Sequence, residues 1–303
     1  MVHIVSKRVA DQFPIFLHEN YDTTFPQLPF SIGLKSTYPE ELFKRIAAAA
    51  ISYQAGLSSI DYTYKRYIGD KSYTRTEYRT DFDVEKIITE STSWMSSTLR
   101  QISEELGKLD GSIIAEWTLL RVPMSIDFLV GCAHRGALFE SVLIARAILE
   151  QISWAACIDR LHNFEEIHAV SATRSVGHFN KKLPGVGRFY GWMSSHAHWL
   201  PERHIQAMTV SQDGTGMVFA SSRFKMIAML LTVAISSVAI NAIALMRSDE
   251  LQRVNSPTGD AKRDIPILCR KLRKAAQMIS RVSSKDPDVL ELSSWVFQPA
   301  RVK

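Results

Sequence analysis

Twenty-one consecutive residues, Met226 to Met246, carry no charge, and Lys225 and Arg247 bracket them. No other stretch limits the fold as strongly. A run of about 20 apolar residues is long enough to cross a bilayer. It is also what a helix enclosed by protein on every side looks like. Composition separates the two. The run is rich in Ala and contains Thr232, Ser236, Ser237 and Asn241. Ala228, Thr232, Ser236, Ala239 and Ala242 recur at helical spacing and make one face of small residues. Such a face lets another helix approach closely. Residues 223–250 therefore read as the central buried helix of a helical domain, with membrane association through 226–246 as the alternative.

The rest of the chain agrees with helices. Only 14 Gly and 11 Pro occur in 303 residues, too few turn-formers for a many-stranded sandwich. Hydrophobic residues at 46% and charged residues at 22% are ordinary globular values. They exclude a mostly disordered, collagen-like or disulfide-stapled chain. The expected fold class is all-α, a helical bundle with a small inserted β-hairpin. Alternating runs on either side of Asp213-Gly214, within 204–221, mark the hairpin.

Apolar spacing predicts a helix from Pro39 to about Ser58 and another over 83–108, ended by Asp110-Gly111. A short apolar stretch, 113–122, precedes Pro123. The clearest helix is expected over 125–161. Its 141–158 portion contains just two charges, Arg146 and Glu150, four residues apart on one side. A buried charge has to be paired or used. Further helices are expected over 164–180, 188–200, 260–284 and 287–297. Residues 1–38, with Pro14, Pro26 and Pro29, read as an irregular arm. Residues 61–81 interleave Tyr62, Tyr64, Tyr67, Tyr73 and Tyr78 with basic residues. That pattern suits either a polar loop or hairpin covered by Tyr, or a nucleic-acid contact. The expected organisation is an N-terminal helical region over 1–122, a helical core domain over 123–250 and basic C-terminal helices over 251–303.

Charge is uneven. The formal net charge is +5, yet residues 251–303 alone hold 11 basic and 5 acidic residues. Such a region can attract phosphate backbones such as RNA, or anionic lipid, by long-range electrostatics, or is simply the wet face of an amphipathic helix. The three cysteines, Cys132, Cys157 and Cys269, are far apart and form no CxxC pair, which suits a reducing compartment. The N-terminus has no signal-peptide apolar region. The expected location is cytoplasmic.

Candidate chemistry narrows quickly. Gly185-Val-Gly187 lacks the spacing of a phosphate loop and reads as a helix break. His196, His198 and His204 lie near Glu202. On a helix, however, His196 and His198 point about 200° apart, so one faces inward and one outward. No cofactor and no metal are expected. The same helix carries Tyr190, Ser194 and His198 at i, i+4 and i+8, a polar row on an otherwise aromatic segment. Set beside Arg146 and Glu150, it would form a polar pocket within the helical domain. Histidine moves protons near neutral pH, and arginine holds a phosphate. The alternative is a buried hydrogen-bond network that only fixes helix packing.

Arg146-Ala-Ile-Leu-Glu150, then Tyr190-Gly-Trp-Met-Ser194-Ser-His-Ala-His198, then a long Ala-rich apolar helix resemble a family of bacterial helical proteins of unknown function. That family is similar in turn to HEPN-type domains, many of which are RNases of toxin and antiviral defence systems. The resemblance covers about residues 125–250. It implies a homodimer and a possible metal-independent endoribonuclease. Arg146 would hold a phosphate, His198 would be the acid/base, and Glu150, Tyr190 and Ser194 would orient them. One departure weighs against nuclease activity. Catalytic HEPN domains place four to six residues between Arg and His, whereas three separate Arg174 from His178 and seven separate Arg188 from His196. Arg174 and His178, one turn apart, remain a minor candidate pair. A non-catalytic protein-interaction or regulatory module is the competing function.

Overall fold

The computed structural model describes residues 56–68, 75–105 and 110–299 except 199, 207, 212–213, 218–221, 257–258 and 284, together with backbone at 23–24 and 31–32 and some residues of 41–52. The expected arm over 1–38 lies almost wholly outside the described residues. The architecture is all-α. Among the described residues, ten helices of six residues or more follow in chain order: α1 Arg75–Glu105, α2 Asp110–His134, α3 Leu138–Ile158, α4 Phe164–Ala169, α5 Ala172–Lys182, α6 Val186–Ala197, α7 Pro201–Gln206, α8 Ser222–Met246, α9 Ala261–Val282 and α10 Pro287–Ser294. Extended backbone among the described residues is limited to short antiparallel pairings. The longest joins Met208–Ser211 to Gly214–Met217.

The uncharged run forms α8, and α8 is the centre of the bundle. It packs against α1, α2, α3, α9 and α10. Every residue from Ile227 to Ala244 is buried. Its polar side chains are satisfied locally, as an enclosed helix requires. Thr232 Oγ1 donates to the Ala228 carbonyl at 2.8 Å, and Ser236 Oγ to that of Thr232 at 2.8 Å. Asn241 Nδ2 donates to the Ser237 carbonyl at 2.8 Å. The Ser237 hydroxyl in turn accepts the Phe297 N–H at 3.1 Å, which ties the C-terminal segment to the centre.

Several expected boundaries move. The single helix expected over 125–161 is two, α2 and α3, folded back on each other. The break is at 135–137, where Gly136 has φ 67°, a conformation that costs glycine little. In the other direction, 113–122 is helical and Pro123 sits inside α2. Leu119, Val122, Pro123 and Ile126 are all buried on one side, so core packing carries the helix through the proline. The boundary expected at 122/123 thus falls within a helix. The helix expected over 164–180 is also two. Ser171 breaks it and caps α5, its hydroxyl accepting the Arg174 N–H at 3.5 Å. Residues 60–68 are helical turns, not a loop or hairpin, and α1 already begins at Arg75. There Tyr64 donates its phenol proton to Glu41 Oε2 at 2.7 Å, while Tyr62 is exposed. Tyr73 lies outside the described residues.

Buried side chains from Val84 in α1 to Val296 beyond α10 belong to one continuous apolar cluster. A buried ionic knot stitches three helices within it. Arg247, just past α8, donates from Nε to Glu116 Oε2 of α2 at 3.1 Å and from Nη1 to Asp159 Oδ1 at the end of α3 at 2.6 Å. Ser112 Oγ donates to the Asp159 carbonyl.

Candidate functional site

Helices α3 and α6 pack together and bring the polar residues of both into one cluster. Arg146 and Glu150 are one turn apart on α3, and Arg146 Nε donates to Glu150 Oε1 at 3.1 Å. Tyr190 projects from α6 into this pair. Its hydroxyl accepts from Arg146 Nε at 3.2 Å and Nη2 at 2.9 Å, and donates to Glu150 Oε1 at 2.6 Å. The guanidinium carbon lies 5.1 Å from the centre of the Tyr190 ring, within range of a cation–π contact. His198, at the C-terminal cap of α6, completes the cluster with Nε2 3.2 Å from Arg146 Nη1.

Protonation follows from the partners. Arginine can only donate, so His198 Nε2 accepts in this arrangement and its lone pair faces the guanidinium. Burial works against the charge of Arg146, and the bonds to Tyr190 and Glu150 more than compensate, so it stays a cation. The Tyr190 phenol is held above its ordinary range, first by burial and then by its bond to Glu150, with Arg146 pulling the other way. Tyr190 therefore keeps its proton. Three of the five guanidinium N–H bonds are engaged, leaving two without a partner among the described residues. The Arg146 side chain is 21% exposed and His198 is exposed, so the cluster opens to solvent. An oriented cation with spare N–H bonds beside an unprotonated imidazole nitrogen can hold an oxyanion and accept a proton.

Of the five expected site residues, the structure brings Arg146, Glu150, Tyr190 and His198 into contact. Ser194 does not join them. Its hydroxyl is buried and makes no hydrogen bond among the described residues. Arg174 and His178 are both exposed on α5, and no hydrogen bond joins them. His196 faces inward at 1% exposure while His198 faces out. His196 stacks on Trp192 with ring centroids 4.0 Å apart, and burial lowers its pKa to about 4. The His204 side chain lies outside the described residues. No group of three or more His, Cys, Asp and Glu side chains is placed to hold a metal among the described residues. The Gly185 segment is the turn between α5 and α6. Gly185 has φ 104°, and Asn180 Oδ1 accepts the N–H groups of Gly185 at 3.1 Å and Gly187 at 2.9 Å.

Two polar clusters escaped sequence reasoning. One is the Arg247–Glu116–Asp159 knot, whose only sequence signal is the charge that ends the apolar run. The other holds α10. Asp288 accepts from Arg203 at 3.1 Å, Arg223 at 2.9 Å and Trp192 Nε1 at 3.3 Å. Asp286 caps α10 and takes Arg223 at 2.6 Å. These partners are 63 to 96 residues apart, so no local pattern announces them.

No protein-family model matches this chain, and neither a curated protein nor a solved structure is significantly similar to it.

Proposed function

We propose that this chain is a HEPN-like helical protein of the bacterial defence or toxin type, acting on RNA as a metal-independent endoribonuclease. The observation that carries the reading is the 3.2 Å approach of Arg146 and His198 from different helices. The spare N–H bonds of Arg146 would hold non-bridging phosphate oxygens. His198 Nε2 would exchange its bond to Arg146 for the ribose 2′-hydroxyl and take its proton. The 2′-oxygen would then attack phosphorus to form a 2′,3′-cyclic phosphate as the P–O5′ bond breaks, and the 5′-oxygen would take a proton from solvent water. Glu150 and Tyr190 would position Arg146.

The exposed side of α9 supports a path for RNA. Arg263, Arg270, Lys274 and Arg281 lie on one face of that helix, and no acidic residue occurs between Ile265 and Lys285. Like charges one turn apart cost helix stability, a cost that a bound polyanion would offset. The same reading puts the protein in the cytoplasm, as a homodimer. We also read the paired segments 208–211 and 214–217 as a small hairpin inserted before α8.

A non-catalytic interaction module is the second reading, favoured by the hydrogen bonds that already hold Glu150, Tyr190 and Arg146 to one another. Membrane association through 226–246 is the least supported, because every residue from Ile227 to Ala244 is already buried within the protein. Inducing wild-type and His198→Ala chains in cells and comparing RNA integrity, alongside melts of both proteins, tests the reading. RNA loss with wild type alone, at equal Tm, is the expected result. Intact RNA with both, and a lower Tm for the variant, would make the cluster structural.

A further inference from the structure

The outer side of α2 is unusual for a helix that is otherwise well packed. Leu119, Val122, Ile126 and Leu129 build the core from one side. On the other, Trp117, Met124 and Phe128 are 65%, 67% and 68% exposed. With Arg121 and Gly131 they follow the spacing i, i+4, i+7, i+11 and i+14, a single row along the helix. Leu143 of the adjoining α3 is also half exposed. The two aromatic side chains alone present roughly 250 Å² to solvent. An apolar row of this kind marks an interaction surface.

We infer that this row is the seam of a homodimer, in which α2 of one copy packs antiparallel on α2 of a second copy around a two-fold axis level with Met124. The row is complementary to itself under that operation. A residue k positions before Met124 comes level with the residue k positions after it on the other copy. Arg121 meets Asp127, and both are exposed. Trp117 meets Gly131, where open space surrounds the position a Cβ would occupy, leaving room for an indole. Leu120 meets Phe128. With helix axes about 9 Å apart, ideal helix geometry puts the Arg121 and Asp127 Cα atoms about 8 Å apart, within ion-pair reach. A charge pair and a large-on-small pair therefore form twice each, as an isologous contact demands. The seam rests on α2 side chains, and its existence does not depend on what the Arg146 cluster does.

Light scattering on the purified full chain over a range of concentrations tests the seam, with circular dichroism as the fold check. The wild type is expected to dimerise. Met124→Glu brings two carboxylates together at the axis and is expected to weaken the dimer at least tenfold. Arg121→Glu and Asp127→Arg, each alone, are expected to weaken it. The double variant Arg121→Glu/Asp127→Arg is expected to restore it, because exchanging the charges keeps the pair. Restoration separates a lost contact from a damaged fold, which matters for Asp127 because its carboxylate also takes a hydrogen bond from Thr92. A monomeric wild type at all concentrations would overturn the inference. So would a dimer indifferent to Met124→Glu, or a monomer that sediments with phosphatidylcholine vesicles.

Discussion

Arg146 Nη1 lies 3.2 Å from His198 Nε2, although 52 positions separate the two residues in sequence. The contact exists because α3 and α6 pack side by side, and because His198 caps α6 with its ring toward α3. Tyr190 is what keeps the guanidinium in place.

Tyr190→Phe tests that role. It removes one hydroxyl that both donates to Glu150 and accepts from Arg146, leaving two partly buried charged groups short of a partner. The expected cost is about 1–3 kcal/mol, seen as a fall in Tm of about 2–4 °C for each kcal/mol. His198→Ala removes an exposed side chain and is expected to cost less than about 0.5 kcal/mol. Scanning calorimetry on both variants checks the contrast. A destabilised His198→Ala would show that the imidazole supports the fold.

The basic face of α9 makes a separate prediction about salt. Replacing Arg270, Lys274 and Arg281 by Gln removes as many as three phosphate contacts. The slope of log affinity for RNA against log salt is then expected to become shallower by roughly 2, at about 0.7 per contact for a single strand. Fluorescence anisotropy with a labelled RNA at several salt concentrations measures it. An unchanged slope would place the RNA elsewhere on the protein.

Glu116 predicts a pH dependence of stability. Burial raises its carboxyl from an ordinary 4.5 to about 7, with the Arg247 bond pulling down and the neighbouring Asp159 charge pushing up. One of its oxygens, Oε1, has no partner among the described residues. Between these pH values the folded chain holds a proton that the unfolded chain has released. Stability from this group is thus full below pH 4.5 and is lost as pH rises toward 7. Glu116→Gln removes the titration. The Tm difference between variant and wild type is expected to shift in the variant's favour from pH 5 to pH 7.5. A constant difference would show that Glu116 is ionised throughout.

Gly111→Ala is expected to be among the most damaging single substitutions. A Cβ at Gly111 would lie 2.1 Å from the Ile158 carbonyl oxygen and 2.7 Å from that of Leu161, both backbone atoms at the end of α3. The start of α2 must therefore move off that chain end. It would lose the Gly111 N–H bond to the Leu161 carbonyl and disturb the nearby Ser112–Asp159 contact. A loss above about 3 kcal/mol by urea unfolding is the expected outcome for this overpacking at backbone. A near-neutral effect would show that the helix can shift freely.

Much of this was legible in the chain itself. The uncharged run of 226–246 and its small-residue face announced an enclosed helix, because apolar periodicity is a local property. The facing of His196 and His198 was legible for the same reason, since 100° per residue places them on different sides of one helix. Helix ends were less legible. Pro123 reads as a stop by local rules, yet buried neighbours on both sides carry α2 through it.

Residue order alone thus determined that the protein is built of helices, that one of them is enclosed, and that Tyr190 and His198 share a side of their helix. All of these depend on spacings of a few residues. Tertiary structure alone decided that Arg146 meets His198, that Ser194 makes no hydrogen bond with them, and that Arg247 closes a buried knot with Glu116 and Asp159. Those contacts span 52 to 131 positions. They are set by how helix faces pack, and short-range spacing carries no information about that.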